Sequence, residues 1–228
     1  MDNELNFKYQ EPRSIPVILL LDTSGSMNTN GNIHVLNAAV KEMLSDFAKQ
    51  EDSNVDIKVA IYSFGPNAKQ LLPLTSAMEA KNLYTDMEAA GGTPLGGALR
   101  LAKDGLIEDK NKIPSRCYRP TVVLVSDGMP NDDWESALED FCSSGRSSKC
   151  YRMAMGIGMP KGVSTYEMLV KFTGDEENVF SAEEATTIRK FFRFVTLSTI
   201  QRSTSATPNV VPPLEIEDDD NDDDYLRF

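Results

Sequence analysis

The chain has 228 residues, of which 40% are apolar, and its formal net charge is −12. This length is enough for one well-filled hydrophobic core, so we expect a single domain over residues 13–200. A short extension (1–12) precedes it, and a Ser/Thr/Pro-rich linker with an acidic tail (201–228) follows, which we expect to be disordered. The longest apolar runs are far shorter than the roughly 20 residues that span a bilayer, which argues against a transmembrane helix.

The negative charge is concentrated near the end of the sequence, where residues 215–228 contain eight acidic residues and one arginine. The remainder is mildly acidic and has no basic stripe along the chain, so we expect neither nucleic acid nor an anionic membrane as a partner. No apolar signal region follows the acidic start Met1-Asp2-Asn3-Glu4, which predicts a cytoplasmic location. Three cysteines without CxxC spacing favour reduced thiols; a Cys142–Cys150 disulfide is an alternative without support in the sequence.

The first predicted element is a buried parallel strand over the apolar run Ile15–Leu21, which ends in the polar turn Asp22-Thr23-Ser24-Gly25-Ser26. An amphipathic helix over 33–49 and a strand over 55–64 follow. A short strand near 69–74 contains Pro73, which favours an antiparallel position at the edge of the sheet.

In the second half, Thr93 resembles a helix N-cap, with Pro94 at the first helical position of a helix that extends to about Gly105. A buried strand over 121–126 ends at Asp127, and the pattern Asp132-x-x-Glu135 predicts a capping box at the next helix. Strands over 151–157 and 178–180 alternate with helices over 163–172 and up to about Thr199. The chain therefore reads as a doubly wound α/β sheet in the order 3-2-1-4-5-6, with one antiparallel edge strand and helices on both faces.

This topology places two acids, Asp22 and Asp127, at the carboxyl ends of neighbouring strands, beside the hydroxyls of Ser24, Ser26 and Thr93. Each residue alone has an ordinary role in a turn or a cap. Five hard oxygen donors in one crevice predict instead a divalent cation site, with Mg2+ favoured and Mn2+ or Ca2+ as alternatives.

The combination of Asp22-x-Ser24-x-Ser26, Gly91-Gly92-Thr93-Pro94 and Ser126-Asp127-Gly128 resembles the metal-ion-dependent adhesion site of von Willebrand factor A (VWA) domains, over roughly residues 13–200. The amino-acid sequence of these segments is most similar to that of short stand-alone bacterial VWA proteins of tellurite-type stress-response clusters. The resemblance implies that Ser24 and Ser26 ligate the metal directly and Thr93 directly or through water. It implies that Asp22 and Asp127 act mostly through bridging waters and hydrogen bonds to the serines.

The resemblance implies a non-enzymatic module that captures a partner's Asp or Glu through the metal, as a scaffold or regulator in a bacterial stress response. We expect the partner to be another protein, with this chain's own acidic tail or a neighbouring copy as alternatives. A weaker alternative is a haloacid-dehalogenase-like phosphotransferase with Asp22 as nucleophile, in which Ser24 stands where that chemistry needs a second acid. A structural VWA domain with an empty site is the other alternative. Trp134 is either a contact residue for a partner or a packing residue.

Overall fold

The computed structural model describes residues 13–50, 56–182 and 185–205, and these form one six-stranded sheet covered by helices. The strands are β1 (Ser14–Asp22), β2 (Asp56–Phe64), β3 (Ala68–Ser76), β4 (Thr121–Ser126), β5 (Tyr151–Ile157) and β6 (Val179–Ala182). The helices are α1 (Asn32–Gln50), α2 (Ala77–Leu83), α3 (Leu95–Ala102), α4 (Trp134–Ser143), α5 (Ser164–Thr173) and α6 (Ala185–Thr204).

The strand order is β3-β2-β1-β4-β5-β6, and β3 alone runs antiparallel to its neighbour. The predicted doubly wound α/β fold is therefore confirmed. All nine residues of β1 are buried, because it lies in the middle of the sheet and helices cover both of its faces. None of the helices in the described ranges is long and apolar enough to cross a membrane.

Alternate side chains of the strands supply two hydrophobic cores, one on each face of the sheet. Helices α1, α2 and α6 pack on the face that carries Val17, Leu19 and Leu21. Helices α3, α4 and α5 pack on the opposite face, against Ile18 and Leu20. The strand order reverses between β1 and β4, because the chain builds the sheet outward from these two strands in opposite directions. A crevice opens where the loops after their carboxyl ends diverge.

Three elements differ from the sequence prediction. Helix α2 was not predicted, because its seven residues are too few to show a helical period. Helix α3 continues into a π-helical turn over Lys103–Ile107. Helix α6 continues past the predicted Thr199 to Thr204, since the buried Arg202 side chain donates to Thr121 Oγ1 (2.5 Å) and to the carbonyl of Arg119 (2.9 Å).

Candidate metal site

The loop after β1 is folded around the carboxylate of Asp22, which is completely buried. Its Oδ1 accepts a hydrogen bond from the backbone N–H of Ser24 at 2.8 Å, which closes an Asx turn and directs the chain out of the sheet. The N–H of Thr23 still donates to the carbonyl of Phe64 at 2.8 Å, so the turn begins as an extension of the β1–β2 ladder. The Ser24 and Ser26 hydroxyls consequently project at the carboxyl end of β1.

Strand β4 supplies the second side of the site. Leu21 pairs with Val125, so Asp22 lies beside Ser126, whose hydroxyl donates to Asp22 Oδ2 at 2.7 Å. Asp127 Oδ1 accepts a hydrogen bond from Ser26 Oγ at 2.7 Å and a longer one from Ser24 Oγ at 3.4 Å. The two serine oxygens are 2.9 Å apart. Two hydroxyls and one carboxylate oxygen therefore converge on one point.

Thr93 reaches the site on the loop between α2 and α3. This loop is tied to the β1 turn by two backbone hydrogen bonds, from Ala90 N–H to Thr23 (2.8 Å) and from Gly25 N–H to Gly91 (3.0 Å). Gly91 has a positive φ of 73°, and a Cβ there would lie 2.6 Å from Pro66, so the close approach needs glycine.

Asn131 fixes Thr93 from the other side, because its Oδ1 accepts from the Thr93 N–H and its own N–H donates to the Thr93 carbonyl, both at 3.1 Å. The structure thus links Asp22, Ser24, Ser26 and Asp127 by direct hydrogen bonds or through Ser126. Thr93 lies on the neighbouring loop, which backbone hydrogen bonds hold against the β1 turn.

Two predicted helix caps were wrong. Helix α3 begins at Leu95 with Pro94 as its N-cap, and the Thr93 side chain does not cap it. Helix α4 begins at Trp134 with Asp133 as its N-cap, and no side chain caps it. Asp132, predicted for α4, instead accepts hydrogen bonds from the N–H groups of Gly96 (3.0 Å) and Gly97 (2.8 Å) at the start of α3.

The binding of Asp132, rather than Thr93, to the amino end of α3 affects the site directly. Because Asp132 satisfies the amino end of α3, Thr93 is not needed there. Within the described part of the chain, the Thr93 hydroxyl makes no hydrogen bond, so its oxygen is available as a ligand.

Burial opposes the charge on both acids. It raises the pKa of Asp22 above its ordinary value, against the hydrogen bonds from Ser126 and Ser24, and the nearby charge of Asp127 raises it further. Burial also raises the pKa of Asp127, against the hydrogen bonds from Ser26 and Ser24. A cation between them would offset this cost, because it favours the charged form of each acid.

The chemistry of these donors fits Mg2+ better than a softer metal, since all five residues offer oxygen. Among the described residues, no group of three or more His, Cys, Asp or Glu side chains forms a metal cluster. The candidate site differs from such a cluster because three of its five residues supply hydroxyls and only two supply carboxylates. The three cysteines are free thiols.

Sequence reasoning missed three residues that support the site: Ser126, Asn131 and Asp132. Ser126 was detectable, because the parallel β1–β4 register places it beside Asp22. Asn131 and Asp132 act on residues 35 to 38 positions away, and no local pattern reveals such contacts.

Trp134 is half-buried and packs against the core beneath α3, α4 and α5.

Comparison with known proteins relates the chain to one type of domain. Residues 17–129 match the von Willebrand factor type A domain. This match includes the β1 turn, the Thr93 loop and the end of β4, which together carry all five site residues. The fold is similar to that of solved von Willebrand factor type A structures. A search of curated proteins finds no match.

Several solved structures share the fold at low sequence identity. Proximal thread matrix protein 1 from the mussel byssus, with a zinc-occupied MIDAS motif, is 18% identical with a TM-score of 0.60, covering 82% of this chain and 45% of that one. The pilus adhesin SpaC from Lactobacillus rhamnosus GG is 15% identical with a TM-score of 0.66, covering 82% and 31%. A von Willebrand factor type A protein from Catenulispora acidiphila is 18% identical with a TM-score of 0.60, covering 82% and 42%. The match spans less than half the length of each.

Proposed function

We propose that this chain is a non-enzymatic module that binds a partner protein through a divalent cation, with Mg2+ preferred, held by Ser24, Ser26 and Thr93. Asp22 and Asp127 orient the serines and balance the charge. The observation that carries the proposal is the convergence of the two serine hydroxyls on Asp127 Oδ1, beside a threonine hydroxyl that is not used as a helix cap.

The composition of the site explains why it would attract a carboxylate. The two carboxylates together carry a charge of at most −2, which only balances a divalent cation, and the hydroxyl ligands add no charge. When bound, the cation would supply an electrophilic position that a partner's Asp or Glu can complete. Zinc in the MIDAS motif of the mussel protein supports a divalent metal at such a site.

The phosphotransferase alternative needs Asp22 to attack a phosphate. Asp22 is completely buried, and its two oxygens accept hydrogen bonds from Ser24 and Ser126. A nucleophilic carboxylate needs an open path to its substrate. The segment Ser126-Asp127-x-x-x-x-Asp132 resembles the acidic metal motif of those enzymes, but Asp132 binds the amino end of α3 instead. These contacts favour a binding role for the site over a catalytic one.

The biological setting rests on the family resemblance. A scaffold or regulator in a bacterial stress response of the tellurite type, acting in the cytoplasm, stays a prediction. The acidic tail as the occupant of the metal position also stays a prediction.

Metal titration of the full chain tests the proposal. If the affinity is about 0.1–1 mM, a tenfold excess of Mg2+ or Mn2+ over Kd should stabilise the EDTA-treated protein by about 1.4 kcal/mol. This corresponds to roughly 3–6 °C in Tm. Ser26→Ala should remove the shift, whereas Thr29→Ala, which deletes an exposed hydroxyl in the same loop, should retain it. A wild-type Tm that does not respond to Mg2+, Mn2+ or Ca2+ would favour the structural domain with an empty site.

Partner capture is tested with an array of Glu-containing peptides and matched Glu→Gln peptides, probed with full chain in Mn2+ or EDTA. We expect binding to require both the glutamate and the metal. Thr93→Val or Asp127→Asn should weaken this binding at least tenfold. Binding that is equal in EDTA would place the interface elsewhere. Turnover of p-nitrophenyl phosphate that Asp22→Ala abolishes would establish the phosphotransferase instead.

A further inference from the structure

Charge is segregated between the two ends of the sheet. Three segments near the amino ends of β4 and β5 (110–120, 143–152 and 196–205) contain eight basic residues and no acid. Three segments at the candidate metal site (22–31, 84–93 and 127–135) contain seven acids and no Lys or Arg. The sequence shows no basic stripe because these basic residues are spread over about 90 positions, and only the fold brings them together.

Direct contacts connect the basic segments. Arg13 Nε donates to the carbonyl of Arg116 at 2.6 Å, and its guanidinium lies 4.4 Å from the Tyr118 ring centre. Arg202 joins α6 to the Arg119 carbonyl and lies 5.6 Å from the ring of Tyr151, the residue that begins β5. We define the basic surface as four exposed residues around these contacts: Arg13, Arg116, Arg119 and Lys149.

Two described acids near this surface are engaged by other groups. Glu108 Oε1 accepts hydrogen bonds from the backbone N–H groups of Arg146 (2.7 Å) and Ser147 (3.0 Å). Asp56 accepts from Ser14 Oγ and lies 3.9 Å from Lys58. Four cationic side chains on one exposed surface would attract an anionic segment.

The chain itself supplies an acidic segment close to this surface. Buried Arg202 anchors the end of α6 there, and the described chain stops at Ser205. Residues 215–224, which we call the acidic segment, contain eight acids and no base. The nine residues between them have a root-mean-square reach of roughly 15–18 Å if flexible. A tether of this length raises the local concentration of the segment to the mM range.

We propose that the basic surface is a docking site for an acidic peptide, and that the acidic segment of this chain is its resident occupant. The contact is electrostatic and does not involve the metal. Without a bound cation, the acidic metal-site end of the molecule repels the same segment, which reinforces the choice of the basic end.

The test uses the full chain and a full-length variant in which the six aspartates 218–220 and 222–224 become asparagine. The probe is a fluorescent synthetic peptide of residues 212–228. We expect the neutralised variant to bind the peptide at least tenfold more tightly than the wild type, because its surface is no longer occupied. This binding should weaken as salt rises and should not change in EDTA.

Charge reversal locates the contact. In the neutralised background, Arg116→Glu with Lys149→Glu should reduce peptide binding at least tenfold. Lys69→Glu is the matched control, because Lys69 is exposed and pairs with Ser63 near the other end of the sheet. Equal peptide binding by the wild type and the neutralised variant would overturn the proposal. Loss of binding in EDTA would also overturn it and would place the segment at the metal site. Tighter binding of a single-stranded DNA oligonucleotide than of the peptide would assign the surface to nucleic acid.

Discussion

Asp22 is the residue at which stability and binding are most clearly opposed. Its carboxylate is fully buried, and burial is the largest cause of its raised pKa. The folded protein therefore holds this proton more tightly than the unfolded chain does. It follows that the stability associated with Asp22 is present below the ordinary pKa of 3.8 and is lost as the pH rises through the raised native value. Where the carboxyl is ionised and no metal is bound, its charge destabilises the fold.

Asp22→Asn should therefore stabilise the metal-free protein while abolishing its response to metal. The amide oxygen can still accept from the Ser24 N–H, and the Ser126 hydroxyl can turn to the carbonyl of Gly128, 3.3 Å away. We expect the variant to have a higher Tm than the wild type at pH 7.

Thermal denaturation in EDTA at several pH values provides the measurement. The gain should shrink as the pH falls and the wild-type carboxyl becomes protonated. A variant that is less stable than the wild type at pH 7 would show that the carboxylate hydrogen bonds outweigh the cost of burial.

Among the elements, the loop between β4 and α4 joins the amino ends of two helices. Asp132 accepts from two N–H groups of α3, and Arg100 of α3 donates back to the Asp133 carbonyl at 3.0 Å and its carboxylate at 2.6 Å. Gly96 makes this approach possible, since a Cβ there would lie 2.6 Å from the Asp133 carbonyl. The loop that carries Asp127 is consequently fixed relative to the loop that carries Thr93.

Asp132→Ala should destabilise the protein by about 1–2 kcal/mol, the usual cost of removing a helix cap. It should also weaken Mn2+ binding, because Thr93 and Asp127 lose their common support. Asp133→Ala is the matched control, since among the described residues its carboxylate contacts only the exposed Arg100 and Ser136. Chemical denaturation and Mn2+ titration provide the two readouts. An Mn2+ affinity unchanged in Asp132→Ala would show that the two loops hold their positions independently.

The elements also show what sequence can predict in this fold. Strands β4 and β5 were predicted with their observed bounds, because buried parallel strands are continuous apolar runs with sharp polar ends. The five candidate site residues could be selected because each follows or precedes such an element. The caps could not be assigned, since Thr93 and Asp132 both have suitable local patterns. The choice between them depends on a contact across 35 residues.

At the scale of the whole molecule, the separation of charge should make metal binding sensitive to salt. Seven acids in the three segments around the candidate site raise the local concentration of cations, and this effect falls as the Debye length shortens from about 30 Å at 0.01 M to about 8 Å at 0.15 M. We expect the Kd for Mn2+ to weaken about three- to tenfold between 0.01 and 0.15 M KCl.

The same titration distinguishes the two positions considered for the acidic segment. If the segment docks on the basic surface, neutralising its six aspartates should leave the Kd for Mn2+ at 0.15 M KCl within about twofold of the wild type, because the two ends of the sheet are screened from each other. If a tail carboxylate completed the metal site, neutralisation would remove a ligand and weaken Mn2+ binding by about tenfold or more. Calorimetric titration of the wild type, the neutralised variant and Ser26→Ala decides between them. The serine variant gives the baseline for a broken site, and a neutralised variant that resembles it would move the segment to the metal.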